Sequence, residues 1–303
     1  MMLSPVVIKA YAKLNLYLDV VGKRSDGYHD IKTVFQSISL HDMLRLIPNP
    51  AEVEVVTAHP NMPSQKQNLA YKAAVVFQQE TETYRGVSIV LEKNIPIGAG
   101  LGGGSADAAA TLAGLNLLWG TNLDEEVLLR MAARVGSDVP FCLMGGRAAG
   151  SGRGEKLTKL PMGAPLWFVI ATPPFSVSTA DVYRNLNAPA SGPEREKEVS
   201  EKFRQVLECL HAGNLKDVLC NVMEQVVLKR YPELKELKRD LQRAGCSAAV
   251  MSGSGPTIYG LVSSQDEGTV IVERLRQTRP DHFVALAYTS SSGWEQVTVS
   301  TPS

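Results

Sequence analysis

The run Pro96, Ile97, Gly98, Ala99, Gly100, Leu101, Gly102, Gly103, Gly104, Ser105, Ala106, Asp107 leaves the backbone almost bare of side chains just ahead of a helix-forming stretch. The chemistry open to such a run is the holding of phosphate. With no Cβ in the way, successive N–H groups can turn inward on an anion, and the following helix adds unpaired donors and the positive end of its dipole. Three phosphate loops compete. The spacing Gly98-x-Gly100-x-x-Gly103 fits the dinucleotide fingerprint, which needs a second strand ending in an acid after its helix. Here a second helix follows, with Asp124 as candidate N-cap, Leu123 and Leu128 placed to staple it and Gly136 to stop it. A Walker loop needs Lys where Gly104 stands. What remains is a loop binding phosphates through backbone and helix dipole, its cationic side chains supplied from elsewhere, against the plainer alternative of a flexible surface turn.

Other segments carry polar chemistry. Lys13 and Asn15 stand two apart on an alternating segment and point to one side of a sheet, a cation beside an amide that suits a ligand or a catalytic carboxylate. An exposed Lys is the ordinary reading. Asp138, before Val139-Pro140, is a good start signal for a short helix. If its carboxylate leans into a cleft near Lys13, it is also kept ionised and able to accept a hydroxyl proton. Gly27-Tyr28-His29 sets an aromatic ring beside an imidazole on a glycine-hinged turn, a platform for a flat base, although a lone His is usually structural. Ser252-Gly253-Ser254-Gly255-Pro256-Thr257 reads as a tight hairpin or as a second wall closing on phosphates. Thr179 and Tyr183 would share a helix face, while capping alone accounts for Ser178 or Thr179.

These residues need a scaffold. From 13 to 20 the chain alternates strictly, Leu14, Leu16, Leu18 and Val20 against Lys13, Asn15, Tyr17 and Asp19, which predicts a half-buried strand. Further strands are predicted at 44–47, 52–57 and 87–93, and helices at 68–77, 105–119 and 124–134, making the first half a mixed α/β domain. An apolar strand at 166–171 opens the second half. Amphipathic helices follow at 198–212, 215–229 and 232–243, then strands at 248–251, 257–262 and 283–287 with a helix between the last two, which reads as helices on an antiparallel sheet. Residues 187–197 read as an exposed connection, and the tail after Gly293 as frayed or a contact surface.

Composition bounds the partners. Among 303 residues, Lys plus Arg and Asp plus Glu number 31 each, so no global field favours nucleic acid or membrane, and a small anionic ligand fits better. Cys142, Cys209, Cys220 and Cys246 form no C-x-x-C pair and read as reduced thiols. Lys9 and Lys13 stand where a signal peptide would be apolar, and no stretch is long enough to span a bilayer, which predicts a soluble cytoplasmic protein.

Taken together, Ala12-Lys13-Leu14-Asn15-Leu16, Gly27-Tyr28-His29 and the segments 96–110, 136–141 and 252–257 resemble the GHMP small-molecule kinases, named for galactokinase, homoserine kinase, mevalonate kinase and phosphomevalonate kinase. They come in family order over nearly the whole chain. The nearest likeness is to the branch acting on a cytidine diphosphate-linked methylerythritol. The resemblance implies an α+β fold of two domains: residues 1–163 like ribosomal protein S5 domain 2, carrying ATP and the catalytic groups, and residues 164–303 ferredoxin-like, contributing to the substrate site. It implies transfer of the ATP γ-phosphoryl group to the 2-hydroxyl of the methylerythritol moiety in the non-mevalonate route to isoprenoid precursors. It also implies ATP and Mg²⁺ as cofactors, and a monomer or homodimer. By the same resemblance, Asp138 is the base and Lys13 its electrostatic partner, 96–106 hold ATP, and Asn15, Tyr28, His29, Thr179 and Tyr183 hold the substrate. Many members have two serines after the glycines, whereas Ala106 follows Ser105 here, leaving one hydroxyl fewer for Mg²⁺ and its ligands unassigned. The alternative is a sister kinase acting on homoserine or a mevalonate-type alcohol, against which the aromatic platform at 28–29 argues, since an aliphatic substrate has no base to stack.

Overall fold

The computed structural model describes residues 4–60, 62–186 and 192–298. In chain order the first half forms β1 (Val6–Lys23), β2 (His29–Asn49), β3 (Val53–Thr57), α1 (Leu69–Thr81), β4 (Gly86–Glu92), α2 (Gly103–Trp119), α3 (Glu125–Val135), α4 (Val139–Met144), β5 (Arg147–Ser151) and β6 (Lys156–Leu160). The second half forms β7 (Trp167–Thr172), α5 (Thr179–Asn185), α6 (Pro193–His211), β8 (Cys220–Asn221), α7 (Glu224–Arg230), α8 (Pro232–Ala244), β9 (Ala248–Met251), β10 (Ile258–Val262), α9 (Gln265–Thr278), β11 (Phe283–Tyr288) and β12 (Trp294–Val297).

The first sheet runs β12-β1-β2-β4-β3, with β5 added beside β2, β6 beside β5, and β8 parallel to β1. Its register slips between Tyr11 and Lys13 and again between Asn15 and Tyr17. Such bulges re-aim side chains, and here they bracket the two polar residues of interest. Helix α2 lies against this sheet and against α1, α3 and α4. Ala106, Ala108, Ala109, Ala110 and Ala113 make it a strong helix former thin enough to be buried nearly all round. The second sheet, β11-β7-β10-β9, is antiparallel and sets its own fourth, first, third and second strands side by side in that order. Leu234, Leu237 and Leu241 of α8 with Ile271, Val272 and Leu275 of α9 form its core, each such side chain contributing about 2 kcal/mol by its burial. Both halves mix α and β in the expected sense.

Several expectations change. The segment at 13–20 is not half-buried: Lys13, Asn15, Tyr17 and Asp19 are each less than 5% exposed. The second half of the chain covers their face, Phe203 of α6 packing on Tyr17 with ring centroids 5.7 Å apart and Tyr259 donating to the Asn15 carbonyl at 2.9 Å. The single helix predicted at 215–229 is a 3-10 turn, the two-residue β8 and the short α7. Asn221 explains the break, because its amide donates to the carbonyls of Met251 and Gly253 while its Oδ1 accepts from the Met223 N–H, and these ties override helix periodicity. Of the connection predicted at 187–197, residues 187–191 lie outside the described residues, and α6 begins at Pro193 with Glu194 and Glu196 in its first turn. The tail after Gly293 is not frayed over its first residues. Strand β12 pairs with β1 from Ala10–Trp294 to Val7–Val297. Just before it the chain passes so close to α4 that a Cβ on Gly145 would lie 1.9 Å from the Gly293 nitrogen. Residues 299–303 lie outside the described residues. Strand β2 starts at His29, well before the predicted 44–47, and β5 and β6 had no sequence signal.

The four cysteines are unpaired. Among the described residues no helix is long and apolar enough to cross a membrane.

Candidate active site

The glycine run rounds the corner between β4 and α2 and forms one wall of a cleft of about 1050 Å³. Two of its glycines are required by their surroundings. Gly100 has φ +78°, and a Cβ there would meet the Ser252 carbonyl at 2.2 Å. Gly102 has φ +71°, caps α2, and lies against the stem of Lys13, whose Cγ would be 2.9 Å from an added Cβ. The loop therefore presents bare backbone to the cleft on one side and packs without gaps on the other.

Lys13 crosses the floor of this loop. Its backbone N–H donates to the Leu101 carbonyl at 2.9 Å, and its Nζ donates to Asn15 Oδ1 at 2.7 Å. Asn15 is held in turn by Thr33, whose Oγ1 accepts from Asn15 Nδ2 at 2.9 Å and donates to the Tyr17 carbonyl at 2.7 Å. That chain of bonds fixes the direction of the Asn15 amide and leaves its oxygen to the cation. Lys13 Nζ also lies 3.4 Å from Asp138 Oδ2 and 5.6 Å from the centre of the Phe35 ring. Asp138 starts α4 as anticipated, yet its side chain makes no capping hydrogen bond. The carboxylate, about one third exposed, is thus free to lean into the cleft, so the start-signal and cleft readings hold together.

The opposite end of the cleft is aromatic. His29 and Tyr183 stack with centroids 4.9 Å apart at 22°. Burial, assisted by the charge of Lys23, holds the His29 imidazole below its ordinary value of 6.5. Burial and then the Asp138 charge push the Tyr183 phenol up, so both rings are neutral near pH 7. Tyr28 stays 56% exposed, with the Arg153 guanidinium 4.9 Å above its ring. The 24–28 turn beneath is fastened by Arg24, which pairs with Asp26 at 3.0 Å and Asp30 at 2.9 Å.

The 252–257 hairpin closes the third side. Ser254 Oγ and Thr179 Oγ1 are 2.7 Å apart, and Ser178, rather than Thr179, caps α5 by accepting from the Asp181 N–H. The hairpin reading of Ser252–Thr257 holds, since it joins β9 to β10, and its Gly253 backs onto Lys13 and Asn15. Every segment singled out in the sequence therefore sends residues to one cleft, although Ala99, Leu101 and Ala106 of the glycine run are buried and do not line it. Sequence reasoning missed the basic side chains Arg153 and Arg184 on its lining, because lone cations carry no pattern. It also missed Asn68, which caps α1 through Oδ1 while its buried Nδ2 has no partner among the described residues. An N-cap ahead of an Ala-rich run was the available signal.

The model of the GHMP kinases N terminal domain matches residues 68–146, and that of the GHMP kinases C terminal domain matches residues 195–281. The 4-diphosphocytidyl-2-C-methyl-D-erythritol kinase of Geobacillus sp. (strain WCH70) is 43% identical over 89% of this chain and 93% of its own length, and that of Symbiobacterium thermophilum 44% over 91% and 98%. A crystal structure of 4-(cytidine 5'-diphospho)-2C-methyl-D-erythritol kinase superposes with a TM-score of 0.75 at 34% identity, over 93% of this chain and 98% of that one. A homoserine kinase from Cytophaga hutchinsonii reaches a TM-score of 0.79 at 19% identity, over 98% of both chains, which is a likeness of fold. Sequence identity over nearly full length on both sides settles which branch of this fold applies: the chain belongs to the GHMP kinases, in the family of the 4-diphosphocytidyl-2-C-methyl-D-erythritol kinases.

Proposed function

We propose that the protein transfers the γ-phosphoryl group of ATP to the 2-hydroxyl of 4-diphosphocytidyl-2-C-methyl-D-erythritol, a step in making isoprenoid precursors. The observation that carries this reading is the meeting of Lys13 and Asp138, 3.4 Å apart, on the floor of a bare-backbone loop that faces a stacked aromatic pair. Phosphoryl transfer asks for positioning and charge neutralisation more than for covalent chemistry. In this reading the 96–106 backbone and the α2 N-terminus orient the triphosphate, and Asp138 aligns the hydroxyl and accepts its proton. Lys13 steadies the carboxylate and the transferring group. Asn15 holds Lys13, while Tyr28, His29, Thr179 and Tyr183 take the cytidine diphosphate, with Arg153 beside Tyr28 offering a cation to it. An aliphatic alcohol of the homoserine or mevalonate type would leave that aromatic end unused.

Magnesium enters on the triphosphate as part of the nucleotide substrate. The described residues contain no group of three acidic, imidazole or thiol side chains that could hold a metal ion, so the protein's own offer of oxygen is the Ser105 hydroxyl and the Asp138 carboxylate on the cleft. Bound there, the ion would offset phosphate charge. We read residues 1–163 as the ATP-binding and catalytic part and 164–303 as the substrate-contributing part of a cytoplasmic enzyme, monomer or homodimer. The deciding experiment supplies ATP with the cytidylylated methylerythritol, homoserine or mevalonate. The first alone is expected to gain one phosphate by mass, and turnover of another alcohol in its place would overturn the assignment.

A further inference from the structure

Beneath the phosphate loop, away from the cleft, three charged side chains meet in the interior. Lys93 follows β4, and its side chain is 3% exposed. Its Nζ donates to the carboxylate of Asp42 on β2 and to Asp107 Oδ2 on α2, the latter at 2.6 Å. Asp42 also accepts the N–H groups of Asn94 at 2.6 Å and Ile95 at 2.8 Å, the last donors before the glycine run. The side chains of Asp42 and Asp107 are no more than 1% exposed. Lys93 and Ile95 pack directly under the first residue of α2, since a Cβ on Gly103 would lie 3.4 Å from Lys93 Nζ and 3.0 Å from Ile95 Cγ2.

One cluster thus grips the chain as it enters the loop, at 93–95, and as it leaves, at Asp107. Buried ions add little net stability, because desolvation offsets their attraction. What they do supply is a fixed geometry. We propose that Lys93, through Asp42 and Asp107, is a positioning residue for the nucleotide: it sets the separation of the two ends of the phosphate loop and so the fit of the loop to ATP. This rests on the reading that 96–106 hold ATP.

The test is an Asp107→Asn and Asp107→Ala pair. Asn keeps an oxygen for Lys93 to donate to, and Ala does not. Asp107→Ala is expected to raise the KM for ATP and the Kd for ADP by about ten-fold or more, with kcat and the KM of the alcohol changed by less than about three-fold. Asp107→Asn should stay within about three-fold of the parent. If Asp107→Ala fails to fold, the double variant Lys93→Met with Asp107→Leu replaces two of the three buried charges by apolar groups and leaves Asp42 to its Asn94 and Ile95 N–H donors, and it should show the same selective loss of ATP affinity. Equal effects of Asn and Ala, unchanged ATP affinity in the double variant, or a parallel loss in all parameters would each overturn the proposal. If the parent protein itself binds no ADP, the loop reading beneath the proposal is overturned as well.

Discussion

Ser252 Oγ donates a hydrogen bond of 2.9 Å to the carbonyl oxygen of Gly100, joining the hairpin of the second sheet to the glycine-rich loop of the first half. The two walls of the cleft are therefore one fitted piece. Gly100→Ala would force a Cβ to 2.2 Å from the Ser252 carbonyl at a φ of +78°, and we expect about 1–3 kcal/mol of lost stability from the strain. The KM for ATP should also rise by ten-fold or more on the order-of-magnitude cost of a misplaced loop. Ser252→Ala, which removes only the hydroxyl, should cost about 1 kcal/mol. Thermal unfolding and steady-state kinetics of the two variants measure the difference.

Asp138→Asn keeps the shape of the site and removes the proposed base. It should lower kcat by about 10²–10⁴ while leaving ADP affinity near that of the parent. Lys13→Met should fall in a similar range, and the double variant should be little worse than either single one, because groups acting as a unit are not additive. Full additivity would mean that the 3.4 Å pair does not work together.

The aromatic end should control the alcohol substrate and not the nucleotide donor. Tyr183→Ala removes the ring stacked on His29, and a lost base-stacking platform costs about 1–3 kcal/mol, or roughly ten- to hundred-fold in the KM of the cytidine substrate. Tyr183→Phe keeps the ring and should be tolerated. A rise in the KM for ATP with an unmoved substrate KM would assign the stack to the wrong ligand.

The histidines give stability a pH dependence of known sign. Burial, with Lys23 nearby, lowers His29, and burial, with Arg279 nearby, lowers His282. A folded value below the unfolded 6.5 means that the unfolded chain protonates first. Stability is then lost as pH falls through 6.5 toward the lower folded values, and is unaffected above. His282→Gln should flatten this decline relative to the parent in thermal unfolding between about pH 8 and 5. Asp107, which burial pushes up to about 7, works in the opposite sense and is common to both proteins, so the difference isolates the histidine.

Much of the site was legible because backbone chemistry leaves a residue signature. The glycine run, the Asp before Val139-Pro140 and the Tyr28-His29 turn all needed particular residue types whatever the rest of the chain did. The burial of Lys13 and Asn15 was not legible, because local alternation assigns a polar face to water, and the arrival of the glycine-rich loop at Gly102 and of the 252–257 hairpin reverses that. The break at Asn221 has the same cause, since its partners Met251 and Gly253 lie in another element. The Lys93 cluster was hidden for a third reason. Its members come from β2, the β4 exit and α2, and nothing in the spacing of 42, 93 and 107 betrays their meeting.

The return of β12 to the edge of β1, with Gly293 laid across the end of α4, bears on how the enzyme is born. The segment that locks the helix carrying Asp138 follows the whole second sheet in chain order. A nascent chain can therefore assemble its second sheet before α4 is secured, and a polypeptide ending near residue 290 is expected to emerge inert, with an open strand ready to pair with a neighbour. Vectorial synthesis would thus hold activity back until residues 294–297 have joined the edge of β1.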